Sequence, residues 1–296
     1  MHRVVIGALV AAAIGCSGPV GPDPVPPPDP GPITSNTPPV VTSIRVQGTR
    51  VNQPAGMADV LEDVAVTATV IDAETPVTGL KFIWTANAGT FIGTGPIVTW
   101  RAPAQAVAPT TVRIDLAVVE PYTSQGRAAE NRVTAFATVA LHDSIREVGD
   151  LSRQFLLDFS DSRLSVEHVM RNFQPGCYGT PLEIGDVTRN REDFTIQESS
   201  VGAATTTVAF GGTCPFRGRK GDACARVPVF WRSEAKRDLY NSAGQLILKK
   251  GESTTAQGVD QVAAVYDRDQ KLWKLCDSAF DSGATSLAEP LRGLVP

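Results

Sequence analysis

Between Val41 and His142 the apolar residues recur at every second position, and directly after His142 the spacing lengthens to that of a helix. No other feature constrains the fold as much. A period of two sends successive side chains to opposite faces, so a half-buried segment of this kind is a strand. In VAVTATVID, Val64, Val66, Ala68 and Val70 share one face while Ala65, Thr67 and Thr69 share the other. LKFIWTA groups Leu80, Phe82 and Trp84, and TVRIDLAVVE and RVTAFATVALHD alternate in the same way. DAETP, NAGT and GTGP supply turn residues between them. About seven short strands with a tryptophan near the third predict a β-sandwich over residues 41–142.

After His142, DSIREVGDLSRQFLLDFSD places Ile145, Val148, Leu151, Phe155, Leu156 and Phe159 on one helical stripe. Ser144 and Glu147 have the spacing of a capping box at its start. A second helix is expected over SVEHVMRNF, carrying Val166, Val169, Met170 and Phe173 and stopping at Pro175-Gly176. Strands follow in DFTIQES, TTTVAFGGT, ARVPVFWRS, GQLILKKG, DQVAAVYD and KLWKLCDSAF, with YDRDQK as the turn of the last hairpin. Helices followed by an antiparallel meander predict an α+β unit over residues 143–281. Residues 282–296 carry no regular pattern and read as a disordered tail.

The chain begins MHRVVIGALVAAAIGCSGP, a basic start at His2 and Arg3 followed by an apolar run from Val4 to Ile14. That is the layout of an export signal over residues 1–15, too short to span a bilayer. Cys16 directly after AIG resembles the lipobox of bacterial lipoproteins, although Ala13 stands where that family usually has Leu. The resemblance implies cleavage before Cys16, a lipid on its sulfur and attachment to a membrane. Ser17 rather than Asp at the next position implies the outer membrane, facing the periplasm or the cell surface. Each acyl CH₂ buried contributes roughly 0.8 kcal/mol, so several chains anchor stably. Residues 16–40 form a Pro-rich tether, which at about 3.1 Å per residue spans several nanometres. Once Arg3 is removed the 27 basic residues become 26 against 31 acidic ones, a net charge of −5. Such a chain lacks the basic surface of a nucleic-acid binder.

Beyond Cys16 there are four cysteines, Cys177, Cys214, Cys224 and Cys276. An even number in an exported chain predicts two disulfides. The preferred pairing is Cys214–Cys224 with Cys177–Cys276; the alternative is Cys177–Cys214 with Cys224–Cys276. The loop TCPFRGRKGDAC has neither the close cysteine spacing of a zinc site nor the C-x-x-C of a redox pair, so it reads as a stapled turn. Its Arg217, Arg219 and Lys220, with Arg226 beyond, form a candidate contact for an anion or a partner.

VTATVIDAETPVTGLKFIWTANAGTF resembles the Ig-like and PKD-like modules of bacterial surface proteins. No cysteine lies between residues 17 and 176, so the inter-sheet disulfide of antibody domains is missing and Trp84 is expected to pack on aliphatic residues. The helix-then-sheet order and the ending VYDRDQKLWKLCDSAF resemble NTF2-like (SnoaL-like) domains, in which N-terminal helices pack into a curved sheet. The fold expected is therefore an all-β Ig-like sandwich followed by an α+β NTF2-like unit.

No H-E-x-x-H, G-x-S-x-G or Walker pattern occurs. His142 and His168 are the mature histidines, and His168 reads as a surface residue. Some NTF2-like proteins are isomerases or cyclases, and by that resemblance Asp158, Tyr178, Tyr240 and Tyr266 are the candidate groups, with Asp158 expected to face solvent. Asp72 and Glu74 read as turn residues rather than calcium ligands. No cofactor, metal or catalytic residue is implied. The functional expectation is an envelope lipoprotein that contacts another envelope protein or a glycan. The alternatives are a domain that binds a small apolar molecule, and an isomerase-type or cyclase-type enzyme. A wide, apolar cone with two converging polar groups would favour those alternatives over the first reading.

Overall fold

The computed structural model describes residues 36–215 and 218–281. The leader 1–15, Cys16, the tether up to residue 35, Arg217 and the tail 282–296 lie outside the described residues.

The first half is built from strands alone: β1 (Val40–Gln47), β2 (Met57–Asp59), β3 (Asp63–Ile71), β4 (Lys81–Ala86), β5 (Thr90–Ile92), β6 (Ile97–Arg101), β7 (Thr110–Ser124) and β8 (Arg127–His142). They form two four-stranded sheets, in the orders β1-β3-β6-β5 and β2-β8-β7-β4. The alternation read from the sequence is the burial pattern observed: Val64, Val66, Ala68 and Val70 of β3 all turn inward. Val64 and Val66 pack with Ile114 of β7 and Leu141 of β8, and Ala68 and Val70 with Leu116 and Val118 of β7, so the two sheets share their cores. Each such aliphatic side chain contributes roughly 1.5–3 kcal/mol when fully buried.

Two details depart from expectation. The last two strands are long, and β7–β8 pair continuously from Thr110↔Leu141 to Ser124↔Arg127. The tryptophan at the centre of the core is Trp100, fully buried, with its indole N–H donating to the Ala88 carbonyl at 3.0 Å. Trp84 is only half-buried and packs on the Phe91 ring at 5.9 Å rather than on aliphatic residues alone.

The second half contains α1 (Ser144–Ser160), α2 (Val166–Val169) and α3 (Thr180–Asp193). Then come β9 (Phe194–Val201), β10 (Thr205–Thr213), β11 (Lys220–Ala235), β12 (Leu239–Tyr240), β13 (Leu246–Leu248), β14 (Ser253–Asp267) and β15 (Leu272–Asp281). The main sheet runs β10-β11-β14-β15, and β9 pairs with the far end of β11. Pro228 lies where β11 exchanges β10 for β9 as its neighbour. A residue without an N–H is tolerated at such a break in the ladder. Register shifts occur between Ala263 and Ala264, between Arg232 and Ser233, and between Val208 and Gly212. Irregularities of this kind bend strands, and this sheet curls into a half-barrel around the helices. Both halves together are mostly β.

The helices hold four corrections. The N-cap of α1 is Asp143, whose side chain accepts from the Arg146 N–H, while Glu147 accepts from the Asp143 N–H at 2.8 Å. The capping box is thus shifted by one residue, because the Ser144 hydroxyl is used elsewhere. Ile145, placed on the apolar stripe by its spacing, is 58% exposed. The second helix is one turn only, and Phe173 leaves it to form a bridge with Leu275. The third helix, α3, has so few apolar residues that its sequence carries no periodic signal; of these Leu182 and Ile184 are exposed.

A buried polar network joins the two halves. The Ser144 hydroxyl donates to Asp59 Oδ1 at 2.6 Å and accepts from the Trp273 indole N–H at 3.0 Å. Arg50 pairs with the same Asp59 carboxylate. Fully buried His142 sits between the Glu147 carboxylate, 2.9 Å from Nδ1, and the Tyr266 hydroxyl, 3.1 Å from Nε2. With Nδ1–H donating to the carboxylate, Nε2 accepts from the tyrosine. Buried polar groups that satisfy one another in this way fix a single docking geometry.

Candidate functional site

Period two continues along β14, and it decides which residues the curled sheet presents to the helices. Thr254, Ala256, Asp260, Val262, Ala264 and Tyr266 are in phase on the concave face. An aspartate in this row faces the interior, and Asp260 is only 5% exposed. On β15 the shift after Cys276 brings Ser278 and Phe280 onto the same face, opposite Val262 and Asp260. From the other side α3 turns Glu183, Asp186, Val187 and Asn190 toward the sheet, and α1 adds Phe155, Leu156 and Phe159.

These elements enclose a cavity of about 80 Å³ that opens to solvent on one side. A water needs roughly 10–15 Å³ measured in this way, so the space suits a small ring or short chain. Its wall is predominantly apolar: Phe159 and Trp231 are in edge contact at 5.5 Å, and Trp231 meets Phe280 at 5.5 Å. The Trp231 indole N–H donates to Ser160 Oγ at 2.9 Å, which fixes the ring.

Carboxyl groups gather in the lining. Glu183 accepts from the Ser278 N–H at 2.8 Å and from its hydroxyl at 2.9 Å. Burial raises the Glu183 carboxyl to about 8; the Ser278 bonds oppose this, and the Asp260 and Asp277 charges add to it. Burial likewise pushes Asp260 up to about 7, against the pull of the Gln261 and Ala279 backbone N–H groups. Asp186 is also raised by burial, with Arg189 nearby opposing the effect. Asp277 is 1% exposed, and the Arg219 Nε lies 2.7 Å from its Oδ2. The two are close enough to pair as charges, but out of line for a hydrogen bond. Near neutral pH Asp260 and Glu183 are therefore poised between their neutral and charged forms.

Two buried acceptors in the wall, Asp260 Oδ1 and Asn190 Oδ1, have no hydrogen-bond partner. Leaving a buried polar atom unpaired costs about 1–3 kcal/mol. Sites of this kind, an apolar pocket with a few convergent polar groups and perturbed carboxyls, are characteristic of small-molecule binding.

The residues singled out from the sequence are dispersed around this cavity rather than gathered in it. Asp158 is buried, not solvent-facing: it pairs with Arg171 and accepts from Gln154 Nε2 at 2.9 Å. The apolar neighbours in sequence suggested an outward turn, but the ion pair with the loop after α2 holds it inside. Tyr178 is 46% exposed, and its hydroxyl accepts from the Lys220 N–H at 3.1 Å. Tyr240 is exposed on the small β12–β13 hairpin. Tyr266 belongs to the network between the halves, and burial drives its hydroxyl up to about 12. His168 is exposed. Asp72 Oδ1 accepts from the Glu74 and Thr75 N–H groups, as a turn aspartate does, and Glu74 accepts from Thr37.

Around the stapled loop, Arg219 turns inward to Asp277, whereas the Lys220 and Arg226 side chains stay exposed. The cysteines pair as Cys177–Cys276 and Cys214–Cys224, with Cα separations of 5.3 and 5.6 Å, which is the preferred connectivity. One ties the loop before α3 to β15, and the other staples the β10–β11 hairpin. Disulfides fit an exported protein in an oxidising compartment. No described helix is long and apolar enough to cross a membrane.

Glu183, Asp186, Asp260 and Ser278 are the site residues that the sequence reading missed. For Asp260 a signal existed, since it is in phase with Val262, Ala264 and Tyr266. For Glu183 and Asp186 there was none, because α3 itself was not legible. Comparison with protein-family models, with curated proteins and with solved structures finds no match to this chain.

Proposed function

We propose that this chain is an exported envelope lipoprotein whose second half binds a small apolar molecule. Cys16 carries the membrane anchor, the Pro-rich segment the spacing, the Ig-like sandwich the arm, and the NTF2-like unit the pocket. The observation that carries the ligand-binding reading is the aromatic cavity between α1, α3 and the curled sheet, with Asp260 and Glu183 both in its lining. A cone filled by its own side chains would have favoured a purely structural arm. The two packed sheets support the Ig-like reading, and helices lying inside a curled antiparallel sheet support the NTF2-like one.

Titration of the mature protein with toluene or benzyl alcohol, followed by Trp231 fluorescence, tests the pocket. Saturable binding is expected, and Ala256→Trp, which fills the cavity from β14, is expected to abolish it while leaving the far-ultraviolet circular dichroism unchanged. Binding that survives the filled pocket, or no binding to the native protein, would contradict the proposal. The anchor is tested separately by metabolic labelling with palmitate: label lost in Cys16→Ala supports it, and label retained overturns it.

A further inference from the structure

The geometry points to an organic amine as the ligand: an apolar body seated among Phe159, Trp231 and Phe280, with a cationic nitrogen reaching Asp260 and Glu183. This rests on the pocket being a small-molecule site, and it adds the charge and donor character of what enters.

Three observations carry it. First, every ionisable side chain lining the cavity is acidic, namely Glu183, Asp186 and Asp260; no Lys, Arg or His is among the described residues that line it. An anionic ligand would find no cationic side chain in this lining, and it is repelled by whichever of these carboxyls is ionised. Second, Asp260 is 5% exposed, lies on the concave face of β14, and leaves Oδ1 without a partner; Asn190 Oδ1 across from it on α3 is also unpartnered. The Asn190 oxygen is an acceptor in every state and the Asp260 oxygen becomes one on ionisation, and an ammonium is donors alone. Third, the wall beside them is aromatic, and ring faces attract cations, most strongly where water is excluded. Carboxylate and aromatic groups converging in one apolar pocket suit a nitrogen that carries both charge and hydrocarbon.

The other charges packed around the site are largely engaged elsewhere. On α3, Asp186 faces Arg189 at 3.3 Å, and on β15, Asp277 takes up Arg219. Arg191 of α3 lies 5.9 Å from the Phe159 ring centre but donates to the Asp158 and Asp161 carbonyls, so Trp231 and Phe280 are the rings left to a ligand. The faces of α1, β9 and β11 toward the cavity are Phe155, Leu156, Phe159, Phe194, Ile196, Trp231 and Ser233, none of which titrates in the working range. Without a ligand, burial raises Asp260 to about 7 and Glu183 to about 8, so each keeps a share of its proton near neutral pH. An entering ammonium favours their ionised forms, so binding releases a proton and tightens as the pH rises.

Three isosteric probes test this on the whole mature protein: benzylamine, benzyl alcohol and benzoate, titrated by calorimetry at pH 6 and pH 8.5. Benzylamine is expected to bind at least tenfold more tightly than benzyl alcohol at pH 8.5, with the preference shrinking toward pH 6 and benzoate the weakest. Asp260→Asn, which preserves shape and removes the charge, is expected to erase most of the preference while benzyl alcohol still binds. Equal affinity for amine and alcohol, or a preference for benzoate, overturns the inference while leaving the apolar pocket standing. Absence of binding by all three would overturn the pocket reading as well. The comparison of probes on the unaltered protein does not depend on how any variant folds.

Discussion

Replacing Cys177 and Cys276 together by alanine is expected to lower the melting temperature by roughly 10 °C. The two cysteines are 99 residues apart, so their bond removes a large share of the disorder available to the unfolded chain. Loop-closure entropy for that separation corresponds to about 5 kcal/mol, against about 3 kcal/mol for the ten-residue separation of Cys214 and Cys224. For a chain of this size each kcal/mol moves the midpoint by about 2–4 °C. The longer bridge also acts on the site: Cys276 lies where β15 shifts register, immediately before Asp277 and Ser278. Its loss loosens the strand that presents Ser278 to Glu183. Calorimetric melting of the double variant and of Cys214→Ala/Cys224→Ala measures both effects. A smaller loss from the long bridge than from the short one would contradict this account.

The second large effect concerns pH. Asp260 holds its proton up to about 7 in the folded chain, whereas an unfolded aspartate releases it near 4. Between these values the folded state binds a proton that the unfolded state has lost. Stability therefore falls as the pH rises through that window and levels off above it. Glu183 acts in the same direction and extends the fall to about 8. Asp260→Asn keeps an acceptor for the Gln261 and Ala279 N–H groups but cannot ionise. At pH 8 the variant is expected to be more stable than the native chain by on the order of 2–4 kcal/mol, and at pH 4 nearly equal to it. Urea unfolding at the two pH values measures the difference. A variant less stable than the native chain at pH 8 would mean that the carboxylate is stabilised as an ion, contrary to its surroundings.

These two effects also show where the sequence was informative. The alternation of Val64, Val66, Ala68 and Val70 was legible because one buried face is a local property of a strand. The stripe of α1 was legible for the same reason, apart from its first turn. There Ser144 was read as a cap but is instead drawn to Asp59 and Trp273, partners 85 and 129 residues distant. Contacts of that range leave no mark on local spacing. Helix α3 failed differently: its polar composition is what a site-lining helix requires, since Glu183, Asp186 and Asn190 occupy positions that a core helix gives to leucine. Asp158 and Asp260 make the same point as a pair. Both are buried acids next to apolar residues, one neutralised by Arg171 and the other left facing a cavity. Only the tertiary arrangement separates a structural ion pair from a candidate site.

The most direct measurement is the indole N–H resonance of Trp231 in the mature protein as benzyl alcohol is added. That ring forms the cavity wall and is held by Ser160, whereas Trp84 and Trp100 lie in the sandwich and Trp273 lies between the halves. The account predicts a saturable shift at Trp231 with Trp84 and Trp100 unmoved, and no ligand-dependent shift at any tryptophan in Ala256→Trp. An unmoved Trp231, or a response centred on the sandwich tryptophans, would contradict it.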